Sequence, residues 1–237
     1  MNIVITGASK GIGKAIALRF AKEGFDMAIC ARNREQIEIT KKEILQLNSS
    51  IGVIAKSVDI SDKKKLQEFG EMVLQSFTTI DVLVNNAGIF FPGAIHLEPE
   101  NQLEKTMAVN LYGAYHLTRQ LLPVMIQQRK GHIFNMCSTA SLKAYPNGGA
   151  YSISKFALLG FSKNLREELK PHNIKVTAIC PGPTLTDSWA GFEGPANRMM
   201  PAKDIAEVVW NAYSLSDQTV MEDIILRPMK GDIPPGP

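Results

Sequence analysis

The sequence predicts an α/β fold, in which a doubly wound, seven-stranded parallel sheet has helices on both faces. Short runs rich in β-branched residues alternate with longer segments whose apolar residues recur every three or four positions. This alternation is typical of parallel strands joined by covering helices. The length of 237 residues, 45% of them hydrophobic, suits one large domain with a substantial core. We therefore expect a single domain over residues 1–233.

The predicted elements alternate along the chain. Strands are expected at residues 2–6, 26–31, 52–58, 80–85, 132–137, 174–180 and 222–226. Helical segments are expected near residues 12–23, 34–47, 62–77, 101–128, 150–170 and 202–214. A connection rich in Gly and Pro near residues 183–201 follows a strand, at the edge where open α/β sheets bind ligands. This position predicts a substrate loop, and the alternative is simply a long surface loop. The Pro-rich tail 234–237 offers little to bury and is predicted to be disordered.

Charge and cysteine content exclude several classes of protein. The net charge is only +3 and no long basic stretch is present, so no nucleic-acid partner is expected. No apolar run approaches the roughly 18 residues of a membrane-spanning helix, and no secretion signal precedes the first strand, which predicts a soluble cytoplasmic protein. Cys30, Cys137 and Cys180 suit buried thiols better than disulfides. Neither they nor the four histidines have zinc-ligand spacing, so no metal is predicted.

Three glycines lie in the turn between the first strand and the first helix, within the segment Thr6-Gly-Ala-Ser-Lys-Gly-Ile-Gly13. Glycine allows a backbone to approach a pyrophosphate closely, and the amides at a helix N-terminus bind its charge. The spacing differs from the ordinary G-x-G-x-x-G pattern, and a tight packing turn is the alternative. The strand–turn–helix context favours a dinucleotide site formed by Gly7, Ser9, Lys10, Gly11, Ile12 and Gly13.

The end of the second strand indicates which dinucleotide binds. An NAD-binding protein would normally place an acid there against the ribose hydroxyls, but this chain has Ala31 and Arg32. The guanidinium fork of Arg32 suits a 2′-phosphate, and Lys10 adds a second cation. These residues predict NADPH rather than NADH, unless both are only solvated surface charges.

Two further strand ends supply candidate cofactor contacts. Asp59 and Ile60 follow the third strand, where a carboxylate and a backbone amide suit an adenine edge, although Asp59 is equally suited to cap the next helix. Asn86, Ala87 and Gly88 follow the fourth strand, and their small size allows the chain to pass close to a cofactor. By itself this segment is also compatible with a simple turn.

Tyr151 and Lys155 are four residues apart, on one face of the helix after the fifth strand. A free phenol has a pKa near 10, so we expect the Lys155 ammonium to stabilise the phenolate and make Tyr151 an effective proton donor and acceptor. Lys155 is also suited to hold ribose hydroxyls. The alternative is an ordinary pair on a surface helix.

Two more polar residues complete a candidate catalytic group. Ser138 ends the fifth strand, where its hydroxyl can bind a substrate carbonyl. Asn110 is an awkward residue inside a long helix, which indicates either a local bend or an amide that supports a proton relay toward Lys155. No G-x-S-x-G elbow is present, so serine hydrolase chemistry is not expected.

With these motifs in place, the chain resembles the short-chain dehydrogenase/reductase family over essentially its whole length. The family's T-G-x-x-x-G-x-G turn matches residues 6–13, its N-N-A-G matches 85–88, and its catalytic tetrad matches Asn110, Ser138, Tyr151 and Lys155. Its cofactor-closing P-G-x-x-x-T segment matches Pro181, Gly182 and Thr186. The resemblance implies a Rossmann fold with strand order 3-2-1-4-5-6-7, hydride transfer from NADP(H), and a homodimer or homotetramer.

The last fifty residues resemble the bacterial sepiapterin reductase-like members, through Trp189, Met199-Met-Pro201, Asp204-Ile-Ala206 and residues 222–228 with 231–233. This finer resemblance implies a pteridine side-chain ketone as a candidate substrate. Trp189 would then stack on the flat ring, unless it is only a hydrophobic anchor of the loop. Asp187 is the nearest candidate for an acid that anchors a pterin.

The sequence therefore predicts an NADPH-dependent carbonyl reductase acting on a small-molecule substrate. Ser138 and Tyr151 would bind the carbonyl oxygen, Tyr151 would donate the proton, Lys155 would hold the ribose, and Asn110 would support the relay. The alternatives are a 3-ketoacyl-carrier-protein or broad-specificity ketone reductase, and an NADP(H)-sensing module that keeps the fold without the chemistry.

Overall fold

Seven parallel strands form one continuous sheet in the order β3-β2-β1-β4-β5-β6-β9 in the computed structural model, which describes residues 1–186 and 198–232. The strands are β1 (Asn2–Thr6), β2 (Asp26–Ala31), β3 (Val53–Ser57), β4 (Val82–Asn85), β5 (Gly131–Met136), β6 (Ile174–Pro181), β7 (Thr184–Leu185), β8 (Met200–Pro201) and β9 (Asp223–Leu226). The sheet and its strand order confirm the prediction, with β9 as the seventh strand. The short parallel pair β7–β8 was not predicted.

The helices are α1 (Gly11–Lys22), α2 (Arg34–Leu47), α3 (Lys63–Ser76), α4 (Gln102–Met107), α5 (Gly113–Gln128), α6 (Gly149–Leu169) and α7 (Ala202–Tyr213). The segment predicted to be helical over 101–128 is helical from Gln102 to Gln128, but it is not α-helical throughout. A π-helical turn at Ala108–Tyr112 separates α4 from α5, and Asn110 lies within it. Such wide turns accommodate an extra residue and often occur at functional sites.

The sheet divides the hydrophobic core into two layers, because alternate side chains of a strand point to opposite faces. In β1, Ile3 and Ile5 pack in the layer covered by α1, α2 and α7, whereas Val4 packs in the layer covered by α3, α5 and α6. Phe20 of α1 and Trp210 of α7 meet edge to face in the first layer. Helices therefore cover both faces, as the doubly wound arrangement requires.

Two kinds of feature are absent from the described ranges, 1–186 and 198–232. No helix in these ranges has the length and apolarity needed to cross a bilayer. Nor does any group of three His, Cys, Asp or Glu side chains there have an arrangement that would hold a metal ion.

His132 on β5 is a buried histidine inside the sheet. Its Nε2 atom lies 2.7 Å from the Thr177 hydroxyl oxygen, and its ring stacks on Phe134. Burial, reinforced by the positive charge of Lys175, lowers the pKa of His132 from 6.5 to about 3. The native protein therefore holds this imidazole neutral at pH values where an exposed histidine would bind a proton.

Protonation of His132 in the unfolded chain should make the protein less stable as the pH is lowered. Between pH 6.5 and 3 the unfolded state binds a proton at His132 that the native state excludes. The contribution of this group should therefore lower the free energy of unfolding by up to about 1.4 kcal/mol for each unit by which the pH is lowered. Denaturant unfolding between pH 6.5 and 5 measures the slope. His132→Gln should flatten it, and equal slopes in both proteins would contradict the assignment.

Candidate active site

The glycine turn after β1 lies against the segment that follows β4. Gly7 and Gly11 have φ angles of +67° and +56°, which side chains rarely adopt. A Cβ atom on Gly7 would lie 2.8 Å from the Cα atom of Ala87, and one on Gly13 would overlap the Gly7 carbonyl. The turn is therefore tightly packed, and its glycines are needed for this packing whether or not a ligand is present.

Asn86 and Thr6 join these two segments through hydrogen bonds. The Asn86 side-chain amide donates to the carbonyl oxygens of Thr6 and Gly7, both at 3.0 Å. In return the Thr6 hydroxyl oxygen accepts from the backbone N–H groups of Asn86 and Ala87, at 3.0 and 3.1 Å. The segment 86–88 thus holds the glycine turn in place, which is more than the simple turn that the sequence also allowed.

The two predicted cations lie on the exposed side of the same edge. Arg32 directly follows β2, and Lys10 is the residue before α1. The turn is connected to α2 by the Thr40 hydroxyl, which donates to the Ser9 carbonyl at 3.2 Å. Ile12 is partly buried and packs against the first core layer.

Asp59 lies close to Arg32 but does not cap α3. Partial burial raises the pKa of Asp59, yet hydrogen bonds from Ser61 and the charge of Arg32 outweigh this effect and lower it. Its carboxylate accepts from the Ser61 backbone N–H at 3.0 Å and from the Ser61 hydroxyl at 2.7 Å. Asp62 is the N-cap of α3, so the capping alternative for Asp59 was wrong. The side chain of Ile60 is buried, and its contact with Gly113 directs it into the core.

Tyr151 and Lys155 are not a surface pair. Lys155 is only 4% exposed, and its ammonium lies 5.8 Å from the centre of the Tyr151 ring. The Lys155 Nζ atom donates to the Met136 carbonyl oxygen at 2.7 Å, which fixes it beneath the end of β5. Burial lowers the pKa of Lys155, and the neighbouring thiols of Cys137 and Cys180 oppose this shift.

The expected direction of the Tyr151 pKa was wrong for this structure. Burial of the phenol raises its pKa to about 12, although a hydrogen bond with Ser138 acts in the opposite direction. Loss of hydration therefore outweighs the hydrogen bond in setting the pKa of this phenol. A phenol with this pKa remains protonated at neutral pH, and it is available as a proton donor.

Ser138 is brought next to Tyr151 by a short helical turn at Thr139–Ser141. Its hydroxyl oxygen accepts from the Ala140 N–H at 3.1 Å, while its own N–H donates to the Ser141 hydroxyl at 3.1 Å. These two bonds form a capping box that fixes the residue at the end of β5.

Asn110 connects the segment after β4 to α6. Its Oδ1 atom accepts from the Ile89 N–H at 2.8 Å, and its Nδ2 atom donates to the Ile89 carbonyl at 3.0 Å and to the Ser154 hydroxyl at 2.9 Å. A Cβ atom on Gly88 would lie 3.3 Å from Asn110 Oδ1 and 3.5 Å from Lys155 Nζ. The structure thus brings Gly88, Asn110 and Lys155 together.

The segment after β6 also returns to the glycine turn. Gly182 N–H donates to the Leu226 carbonyl at 2.8 Å, and Pro181 is the last residue of β6. Thr186 lies against Gly11, where a Cβ atom would be 3.1 Å from its methyl group. Of the predicted substrate loop, β7 and β8 are described, whereas Asp187 and Trp189 lie outside the described residues.

Two contacts of this region were missed in the sequence. The Phe90 ring meets the Tyr151 ring edge to face, with centres 4.7 Å apart. The Glu98 carboxylate accepts from the Ala150 N–H at 2.7 Å, at the start of the helix that carries Tyr151. The position of Phe90 two residues after the N-N-A-G motif was a usable signal, but nothing local marks Glu98.

Comparison with known proteins gives consistent results. The sequence model of a family described as short chain dehydrogenase matches residues 1–194. A sepiapterin reductase of Chlorobaculum tepidum is 35% identical over 98% of this chain and 97% of its own length. An alcohol dehydrogenase of the archaeon Thermococcus sibiricus, solved with 5-hydroxy-NADP, superimposes with a TM-score of 0.89 at 28% identity and 96% coverage of both chains. A metagenomic short-chain oxidoreductase solved with NADP gives 0.84 at 31% identity and 97% coverage of both chains.

Gly7→Ala should destabilise the protein more than an equivalent change elsewhere. Gly24 also has a positive φ angle, +78°, but a Cβ atom there would meet nothing within 4 Å, so Gly24→Ala is a matched control for backbone strain alone. We expect Gly7→Ala to cost about 1–3 kcal/mol more, because its methyl group also collides with Ala87. Denaturant unfolding measures both values, and equal losses would argue against tight packing of the turn.

Proposed function

The chain belongs to the short-chain dehydrogenase family of oxidoreductases, and from this premise we propose that it reduces a carbonyl compound to an alcohol with NADPH. The observation that carries the proposal is the meeting of Tyr151, Ser138 and a buried Lys155 at the end of β5. These groups offer a protonated phenol, a second hydroxyl and an ammonium within one small region. A carbonyl oxygen needs this kind of environment as it gains negative charge and a proton.

Several residues fit a bound dinucleotide. The glycine turn opens α1, whose first N–H groups suit a pyrophosphate. Lys155 has three N–H donors, and the Met136 carbonyl is the one acceptor bonded to its Nζ atom among residues 1–186 and 198–232. The remaining donors suit the hydroxyls of a ribose. NADPH is favoured over NADH by Arg32 and Lys10, and by the NADP that two similar structures carry.

Each catalytic side chain has a separate task in this proposal. NADPH, when bound, supplies the hydride to the carbonyl carbon. The hydroxyls of Ser138 and Tyr151 bind and orient the carbonyl oxygen, and Tyr151 donates its proton to that oxygen. Lys155 holds the ribose and stabilises the phenolate that remains, while Asn110 keeps Gly88, Ile89 and α6 in position for both.

The proposed substrate is a pteridine side-chain ketone. The sepiapterin reductase that is 35% identical over nearly the whole chain supports this choice. Phe90 supports it as well, because an aromatic ring directly beside Tyr151 suits a flat heterocycle. Stacking by Trp189 and anchoring by Asp187 remain part of the proposal.

We also propose a homodimer or homotetramer. Tyr112, Tyr115 and Phe156, on the π-helical turn, α5 and α6, leave large apolar side chains exposed. Such surfaces favour contacts between identical subunits.

Oxidation of NADPH in the presence of a pterin and ketone panel tests the activity. We expect turnover of a pteridine side-chain ketone, and a loss of kcat by about 10²–10⁴-fold in Tyr151→Phe, because the proton donor is removed. NADPH binding, followed by fluorescence titration, should change little. Tyr213→Phe, at a phenol on α7 whose hydroxyl contacts the Met1 sulfur, is the matched control and should keep full activity.

The outcomes of this assay separate the alternatives. Turnover of simple ketones or 3-ketoacyl substrates without any pteridine activity would favour a broad-specificity or 3-ketoacyl-carrier-protein reductase. NADPH binding without turnover of any compound would favour a sensing module. Substantial activity in Tyr151→Phe would contradict the mechanism itself.

Arg32→Asp should reverse the cofactor preference. The carboxylate would repel a 2′-phosphate and accept hydrogen bonds from the free ribose hydroxyls of NADH, so the NADPH-to-NADH ratio of kcat/KM should fall at least about tenfold. Arg119→Asp is the control, because it makes the same charge change at an exposed site on α5 instead of at the end of β2. Unchanged selectivity in Arg32→Asp would remove this residue from the cofactor site.

A further inference from the structure

Two cysteines lie side by side at the ends of neighbouring strands. In the pairing of β5 with β6, Met136 is opposite Ile179, and Cys137 and Cys180 are the next residues along the two chains. Both thiols are buried and belong to one apolar cluster with Leu158 of α6. The two thiols are near enough to affect each other's pKa. Cys30, the remaining cysteine, lies on β2 in the other part of the sheet.

The polar surroundings of the two thiols differ. The Ser162 hydroxyl lies 4.0 Å from the Cys137 sulfur, and Lys155 and Ser141 are also near it. The proximity of Cys180 and the charge of Lys155 lower the pKa of Cys137, whereas the proximity of Cys137 and burial raise the pKa of Cys180. Because polar groups surround the sulfur of Cys137, we assign it as the nucleophile of the pair, with Cys180 as its partner. By contrast, burial raises the pKa of Cys30 to about 12.

The pair is adjacent to the catalytic group. Cys137 directly precedes Ser138, and the Met136 carbonyl before it accepts the hydrogen bond from Lys155. A covalent change at Cys137 therefore acts on the chain segment that positions both Ser138 and Lys155.

We propose that Cys137 and Cys180 form an oxidation-sensitive dithiol, which a small hydroperoxide converts into a disulfide that switches off turnover. Neighbouring strands are about 4.8 Å apart, within the roughly 4.4–6.8 Å between Cα atoms that a disulfide requires. Forming the bond draws the two sulfurs closer together than two separate thiols can lie. This movement displaces the end of β5. The effect on activity rests on the proposed function, whereas formation of the disulfide does not.

The chemistry balances with hydrogen peroxide as the oxidant. The Cys137 thiolate attacks one peroxide oxygen, so that an S–O bond forms, the O–O bond breaks and hydroxide leaves. The Cys180 sulfur then attacks the Cys137 sulfur, the S–S bond forms, the S–O bond breaks, and the second oxygen leaves as water with the Cys180 proton. Two thiols and one peroxide give one disulfide and two waters, with two electrons passing from sulfur to oxygen.

Treatment of the protein with hydrogen peroxide tests the proposal. Peptide mapping under non-reducing conditions detects the disulfide, and a ketone-reduction assay measures turnover before and after dithiothreitol is added. Wild type and Cys30→Ala should both form the Cys137–Cys180 disulfide and lose turnover by about 10- to 100-fold, with recovery on reduction, since small displacements of catalytic groups have effects of this size. Cys180→Ala should form no such disulfide and should show a clearly smaller reversible loss of turnover, because Cys137 can then reach only the sulfenic acid.

Three results would overturn the proposal. The first is that both thiols stay reduced in folded wild type under conditions that fully oxidise glutathione. The second is a disulfide that leaves turnover unchanged, and the third is an equal, reversible loss in Cys180→Ala. Peptide mapping of wild type and Cys30→Ala decides the first point even if Cys180→Ala fails to fold. It also decides that point if no carbonyl compound proves to be a substrate. Failure of the proposed function can therefore be distinguished from failure of the disulfide proposal.

Discussion

The rest of the site depends on the contacts made by residues 86–89. At one end, Asn86 binds the carbonyl oxygens of the glycine turn, and at the other, Ile89 is held by both side-chain atoms of Asn110. Through Ser154, Asn110 extends this connection to α6, the helix that carries Tyr151 and Lys155. One short stretch of backbone therefore sets the distance between the proposed dinucleotide turn and the proposed catalytic side chains.

This arrangement shows why the two explanations of the glycine turn do not compete. Close packing of Gly7 on Ala87 requires the absence of a side chain, and so would close approach of a pyrophosphate to the same backbone. Selection for a tight turn and selection for a ligand site therefore favour the same residues. The sequence alone could not separate these two causes, because both predict glycine at the same positions.

Much of the fold was predictable, because periodic burial determines it. Strand and helix positions follow from apolar spacing, and most predicted boundaries lie within one or two residues of those observed. The π-helical turn at Ala108–Tyr112 was not predictable in this way, since it results from hydrogen bonds of Asn110 to residues distant in the sequence. The same reason explains why Glu98 was missed and why the Asp59 cap was wrongly considered. In each case the partner of a polar side chain depends on tertiary structure.

The electrostatics of Tyr151 and Lys155 follow from the cost of burial. Removing water disfavours the charged form of each group, which raises the pKa of the phenol and lowers that of the ammonium. Both shifts favour the uncharged form, so the phenol holds its proton more strongly than a free phenol and does not give it to the neighbouring amine at rest. A charge that appears on the phenol oxygen then gains more from the nearby ammonium than it would in water, because the interior screens their attraction less. Burial therefore keeps Tyr151 protonated at rest and makes its phenolate costly, so the nearby Lys155 ammonium is needed to offset part of that cost once the phenol has donated its proton.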